Sequence, residues 1–350
     1  MADIAERKTD HLDLATSGDV GFKRTTTLLE CVKLVHDALP DLDLDAIELG
    51  STVLGKPLRA PILIAAMTGG AARAERINLE LAAIAEERGY AFGLGSQRAM
   101  LKRPEVKSSY AVRKAAPSAL LLGNLGIVQA AKMSSSEVSE LVAEVGADAL
   151  CVHLNPAMEI VQEEGDRDFR NGLATLERLR AELSVPLIVK ETGCGLSQRV
   201  AAKLRRAGIA HVDVSGAGGT SWVAVETQRA AAEKKALGQA FWEWGIPTAV
   251  SVAWVHRHGF ETVFATGGLH TGLDIARAIA LGASAGGIAR AALQALEKDG
   301  PSGARQFFDR VEAELRAALL LTGSADLAAL RLAPRVLVGE LKDWLNPTGI

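Results

Sequence analysis

Eight short apolar runs, each followed by a stretch with helical periodicity, constrain this chain more than any other feature. The runs are PILIAAM (61–67), AFGLGS (91–96), ALLLGN (119–124), ALCVHL (149–154), PLIVKE (186–191), HVDVSG (211–216), TVFATG (262–267) and SAGGIA (284–289). Each has strand length and ends in or beside a small or polar residue. The intervening patterns include ARAERINLELAAIAEERG (72–89), SSEVSELVAEVG (135–146), GLATLERLRAEL (172–183) and SQRVAAKLRRAG (197–208). Gly89, Gly146 and Gly208 stand just past three of them, where helix C-caps favour glycine.

Strand and helix alternating eight times predict an α/β fold with parallel strands, a (β/α)8 TIM barrel. The rival is an open, doubly wound sheet. That sheet would carry a GxGxxG turn after its first strand, and the turn here is MTGG (67–70). Residues 61–299 are assigned to the barrel. A loop-like N-terminal extension precedes it (1–60) and a helical C-terminal tail follows (300–350). With no linker or low-complexity tract between them, residues 1–350 read as a single domain.

The charge balance narrows the partners. A formal net charge of -3 leaves no basic excess for a polyanion, so nucleic acid is not expected. Cys31, Cys151 and Cys194 are far apart and form no CxxC, which argues against disulfides and zinc and suits a reducing cytoplasm. The N-terminus MADIAERKTDHLDL lacks the apolar core of a signal peptide, and no apolar stretch is long enough to predict a membrane span.

In barrels of this class the active site lies at the C-terminal ends of the strands. Those ends carry Met67-Thr68, Ser96, Asn124, His153-Asn155, Lys190, Ser215, Gly267-Gly268 and Ala289-Arg290. Such a ring suits a flat, polar cofactor. ATGGLHTG (265–272) and GGIARAAL (286–293) follow the seventh and eighth runs, where barrels bind phosphate through backbone N–H groups and a helix N-terminus. The plain alternative is that Gly267 and Gly268 only permit a tight turn. Lys190 ends an otherwise apolar run, so it is either functional or paired with Glu191 or Asp213. His153 and Asn155 alternate on one strand end and can face the same side. Glu159, Glu163, Glu164 and Asp166 follow, either as Mg²⁺ ligands or as a solvated acidic loop. Arg7, Lys8, Asp10 and His11 form a polar N-terminal cluster, Arg98 is a candidate anion ligand, and Trp222 suits a cover over the barrel mouth.

These residues sit in segments that resemble the type 2 (FMN-dependent) isopentenyl diphosphate isomerases: RKTDHL (7–12), AAMTGG (65–70), GLGSQR (93–98), GNLG (123–126), HLNP (153–156), EEGDRDF (163–169), VKETGCGLS (189–197), DVSGAGGTSW (213–222), WGIPTA (244–249) and ATGGLHTGLDIA (265–276). They run in family order over nearly the whole chain. The resemblance implies a cytoplasmic homotetramer or homo-octamer that interconverts isopentenyl and dimethylallyl diphosphate on reduced FMN. It also implies a requirement for Mg²⁺, with NADPH as the flavin's reductant. The chemistry it implies is protonation of the terminal alkene carbon and loss of a C2 proton. FMN would contact Met67, Thr68, Ser96, Asn124, Lys190, Ser215 and Thr220, with its phosphate on Gly267, Gly268 and the backbone near Ala289 and Arg290. The substrate diphosphate would meet Arg7, Lys8, Arg98, His153 and Asn155. Glu159 would hold the metal, and Lys190 and His153 are the implied catalytic groups.

The chain departs from that family at three places. Met158 stands where the family pattern HLNxxQE has glutamine, and a thioether cannot donate a hydrogen bond. Gln162, one helical turn along, is the candidate substitute. His270 stands in place of arginine and Ala291 in place of proline. Three readings therefore stand: an isomerase that tolerates Met158, a flavin enzyme with altered chemistry or prenyl substrate, and a non-catalytic flavin- or diphosphate-binding homologue. A 2-hydroxy-acid oxidase is a further flavin-barrel option that GAGGTSW and RKTDHL speak against.

Overall fold

The computed structural model describes residues 4–346, with the side chains of residues 4–9, 17, 102 and 104 outside that description. Eight strands form a closed parallel barrel: β1 (Ile62–Ile64), β2 (Ala91–Gly93), β3 (Leu120–Gly126), β4 (Ala149–Leu154), β5 (Leu187–Glu191), β6 (His211–Asp213), β7 (Thr262–Ala265) and β8 (Ala285–Ile288). Every predicted run supplies a strand. β8 pairs with β1 through Gly286 and Ile62 to close the ring. Several strands are shorter than their runs, since residues such as Ala65–Met67 leave the ladder and turn toward the barrel mouth.

The period-two alternation of strands sorts these residues into two cores. Leu63, Leu120, Leu122, Ala149, Cys151, Ile188 and Phe264 fill the barrel, and Val53 and Leu58 of a hairpin close its base. Ile62, Ile64, Leu121, Leu150, Val152 and Val189 pack outward against the helices. Two positions beyond the inner apolar layer, the same parity gives Asn124, His153, Lys190 and Thr266. The polar layer above the core is thus a direct result of strand register: His153 aligns with Lys190, and Lys190 with Asp213.

Five helices bear on the mouth: α1 (Ile4–Ser17), α2 (Pro156–Val161), α3 (Trp222–Arg229), α4 (Gly272–Ala280) and α5 (Arg290–Leu320). The predicted helices at 72–89, 135–146 and 172–183 form as Ala72–Arg88, Ser135–Val145 and Gly172–Glu182. That at 197–208 forms as Gln198–Arg206. Gly89 and Gly146 are left-handed caps with φ of 65° and 63°.

Two expectations are corrected. The first described stretch, Ile4–Ser17, is not loop-like but forms α1, because Leu12 is buried on the barrel, and docking rather than propensity stabilises a short helix. The C-terminal tail is not wholly helical, since Arg335–Leu337 forms an antiparallel pair with Val32–Leu34. α5 runs across the expected 299/300 boundary but kinks there, at Asp299 and Gly300 before Pro301. No helix among the described residues is long and apolar enough to cross a membrane.

Candidate active site

A cavity of about 400 Å³ opens at the C-terminal ends of the strands. Its lining includes Met67, Thr68, Ser96, Arg98, Asn124, His153, Asn155, Met158, Glu159, Gln162, Lys190, Ser215, Thr220, Trp222, Gly267, Gly268, His270, Ala289 and Arg290. Of the predicted site residues, the side chains of Arg7 and Lys8 lie outside the described residues.

Lys190 is both paired and on the cavity wall. Its Nζ donates to Asp213 Oδ2 at 2.6 Å and to Thr266 Oγ1 at 3.2 Å. Thr266 in turn donates to Asp213 Oδ1 at 2.6 Å. An ammonium group has three N–H donors, so one remains for the cavity. Asp213 and Thr266 hold the cation rigidly where a ligand's negative charge would meet it.

The His153 tautomer follows from its neighbour. Asn124 Nδ2 donates to Leu94 O at 3.0 Å, which turns Oδ1 toward His153 Nδ1 at 2.7 Å. Nδ1 is therefore the protonated nitrogen. On the next turn, Asn155 Nδ2 donates to Glu159 Oε1 and Asp166 N donates to Glu159 Oε2, both at 2.7 Å. Glu159 is buried yet borders the cavity. The acidic loop divides: Asp166 lies 3.6 Å from Arg98 and accepts from Gln129 at 2.7 Å, while Glu163 and Glu164 are exposed. Gln162 caps the end of α2 and is 5% exposed, and no other described residue bonds its carboxamide.

Glu191 ends β5 and folds back, so that Oε2 accepts the backbone N–H groups of Thr192, Gly193, Cys194 and Gly195. This shapes the loop that brings Thr192 and Gly193 to the cavity. Burial raises the Glu191 pKa to about 7 despite those four donors. With the folded value above the ordinary one of 4.5, its stabilising contribution is full below about 4.5 and is lost as pH rises through about 7. Glu191→Gln cannot ionise. It should therefore gain stability relative to the wild type between about pH 5 and pH 8. Urea unfolding across that range checks this, and a difference that does not change with pH overturns it. Ser215, opposite this loop, has φ of 37°, a strained conformation held as its carbonyl accepts from Gly193 and Gly195.

At the other end of the cavity, one expectation needs correction. The N-terminus of α4 is not open to a phosphate. Asp274 accepts the N–H groups of His270 and Thr271, and Glu314 accepts that of Gly272 at 2.8 Å. Two carboxylates thus stand where an anion was expected. The left-handed Gly267 and Gly268 (φ 98° and 80°) keep their N–H groups out of every hydrogen bond of the described residues. The phosphate-compatible surface is this bare backbone with the start of α5.

The sequence reading missed the partner that seats α1. His11 Nε2 lies 2.8 Å from Glu226 Oε1, Glu226 Oε2 pairs with Arg229, and Arg229 pairs with Asp10. The His11 and Trp222 rings meet edge to face at 5.3 Å. The available signal was spacing: Glu226 lies four residues after Trp222, on the same helical face.

The residues fit a flat cofactor that ends in a phosphate. Thr68 borders the cavity and its buried Oγ1 has no partner among the described residues, and the Gly267–Gly268 backbone offers donors that the described residues leave unused. Fold and site together define a flavin-binding barrel, and the FMN-dependent dehydrogenase family model matches residues 154–336. Solved mandelate oxidase structures share the fold. One with benzaldehyde superposes with a TM-score of 0.66 over 94% of each chain, at 20% identity. The isopentenyl-diphosphate delta-isomerase of Synechococcus sp. is 47% identical over 94% of this chain and 95% of its own. That of Halobacterium salinarum is 46% identical over 97% and 96%. The chain belongs to the FMN-dependent isopentenyl-diphosphate delta-isomerase family.

Proposed function

We propose that this chain interconverts isopentenyl and dimethylallyl diphosphate by acid–base chemistry, with FMN and Mg²⁺ as cofactors and NADPH as the flavin's reductant. The observation that carries the reading is one cavity joining the free Gly267–Gly268 donors, the Lys190 cation and the His153–Asn155–Glu159 arc. Reduced FMN, when bound, supplies an electron-rich ring that stabilises developing positive charge and an acid–base group beside the allylic carbons.

The chain's own residues divide the remaining work. Met67, Thr68, Ser96, Asn124, Ser215 and Thr220 hold the flavin, and the backbone of Gly267, Gly268, Ala289 and Arg290 holds its phosphate. Lys190 keeps a positive charge on the wall. Arg98, His153 and Asn155, with Arg7 and Lys8, bind the diphosphate. Glu159 supplies the protein carboxylate to a cation whose other ligands are substrate oxygens and water. Gln162 offers the carboxamide that Met158 cannot. Residues 1–350 act as one unit, assembled in the cytoplasm as a tetramer or octamer.

A second reading, a related flavin enzyme with a different prenyl substrate, is favoured by Met158. Its sulfur, 4.0 Å from Asn155 Nδ2, gives the cavity a softer and less polar wall. The test is anaerobic. Protein, dithionite-reduced FMN, Mg²⁺ and isopentenyl diphosphate are followed by proton NMR, with Met158→Gln and Gln162→Leu in parallel. The wild type should form dimethylallyl diphosphate. Met158→Gln should change kcat less than about tenfold, and Gln162→Leu should lower it about a hundredfold. Product from Met158→Gln alone supports the second reading. Tight FMN with no turnover in any variant overturns both.

A further inference from the structure

Arg290 stands at the phosphate end of the cavity, yet its guanidinium faces another element. Nε donates to Ala15 O at 2.8 Å and Nη2 to Gly18 O at 2.6 Å. Gln294, one turn along α5, donates Nε2 to Thr16 O at 3.0 Å. These carbonyls end α1, where the helix leaves acceptors unpaired and its dipole is negative. A forked cation there satisfies two of them at once. At its other attachment α1 is held through His11 and Asp10 to Glu226 and Arg229 of α3. Between the two attachments, His11, Leu12 and Ala15 form part of the cavity wall. Arg7 and Lys8 lie on the same helix one turn before His11.

We propose that Arg290 is a positioning residue. Its backbone borders the phosphate, while its side chain clamps the end of α1 and so sets the helix that delivers the N-terminal cations to the substrate. The identity of that substrate rests on the isomerase reading; the clamp itself does not. The assignment adds a side-chain role to a residue whose sequence context implies only a backbone one. Here that end of the cavity offers main-chain donors, and two of the guanidinium's nitrogens, Nε and Nη2, are engaged by α1 and the residue that follows it. Gly18 suits the same arrangement, because a Cβ there would fall 2.6 Å from Leu14 O and disturb the carbonyl geometry that Arg290 reads.

The experiment compares the wild type, Arg290→Gln, Arg290→Lys and Gln294→Ala as full-length holoproteins. Three readouts are taken: amide hydrogen exchange of residues 8–18, the Kd for FMN by fluorescence, and kcat and KM for isopentenyl diphosphate. Arg290→Gln should speed exchange in α1 about tenfold or more and leave the Kd for FMN within about twofold. It should raise KM about tenfold while kcat changes less. Arg290→Lys keeps the charge but not the fork and should fall between. Gln294→Ala should loosen residues 14–18 without affecting FMN, and it carries the test if Arg290→Gln does not fold. Unchanged exchange in α1 overturns the proposal, as does a tenfold weaker FMN with α1 still protected. If the wild type shows no turnover, the isomerase reading fails, while exchange and FMN affinity still judge the clamp.

Discussion

Replacing Lys190 with methionine is expected to lower turnover about a hundredfold to a thousandfold and to destabilise the fold by about 3–5 kcal/mol. The two losses have different causes. Stability falls because Asp213, with 3% of its side chain exposed, loses its cation and keeps only hydroxyl and N–H partners. Turnover falls because the cavity loses its buried positive charge. The double variant Lys190→Met/Asp213→Asn separates them, since it leaves no uncompensated carboxylate. Urea unfolding should show most of the stability restored in the double variant, with turnover still lowered about a hundredfold or more. If both properties return together, the role of Lys190 is structural only.

The second large effect is expected from Gly267→Ala. At φ 98° an L-residue is strained, and the added Cβ would stand 2.2 Å from Gly216 O and 2.6 Å from Gly216 N. Neither neighbour is a side chain that can swing aside, so the turn after β7 must move away from the loop after β6. A loss of about 3 kcal/mol or more and about hundredfold weaker FMN binding should follow. Gly259 is the control: its φ is also positive, at 69°, but a Cβ there meets nothing within 4 Å. Gly259→Ala should cost only about 1 kcal/mol and leave FMN binding unchanged. The difference between the two variants, read from visible spectra and unfolding curves, isolates the close approach from the backbone strain. Equal effects would show that the approach contributes nothing.

The barrel was legible because its signal is local. Short apolar runs closed by small or polar residues mark strands, and strand ends mark the mouth, so the sequence alone puts Asn124, His153 and Lys190 there. Strand lengths were overestimated because residues such as Ala65 and Ala66 remain apolar after leaving the ladder, where they line the cavity. The pairings were hidden because they are tertiary. His11 and Glu226 are 215 residues apart, and the four-residue spacing of Trp222 and Glu226 marks a shared helical face without naming what docks on it. α1 was missed for a related reason: RKTDHLDL is too polar to read as a helix until its docking surface is known. The capped start of α4 was misread because the acceptor of the Gly272 N–H is Glu314, contributed by α5.

Closure of the barrel between β8 and β1 also orders events during synthesis. Those strands lie more than 200 residues apart, and β8 supplies Ala285–Ile288, with the cavity residues Ala289 and Arg290 following directly. Until they leave the ribosome, β1 can pair only with β2, and its other edge, Ile62–Ile64, stands open and apolar. Such an edge is a template for pairing with a foreign strand. The nascent chain therefore carries this open edge for most of its translation, before the cavity residues are complete. Shielding of the Ile62–Ile64 edge until β8 arrives would act at a stage when added cofactor cannot, because Ala289 and Arg290 are not yet made.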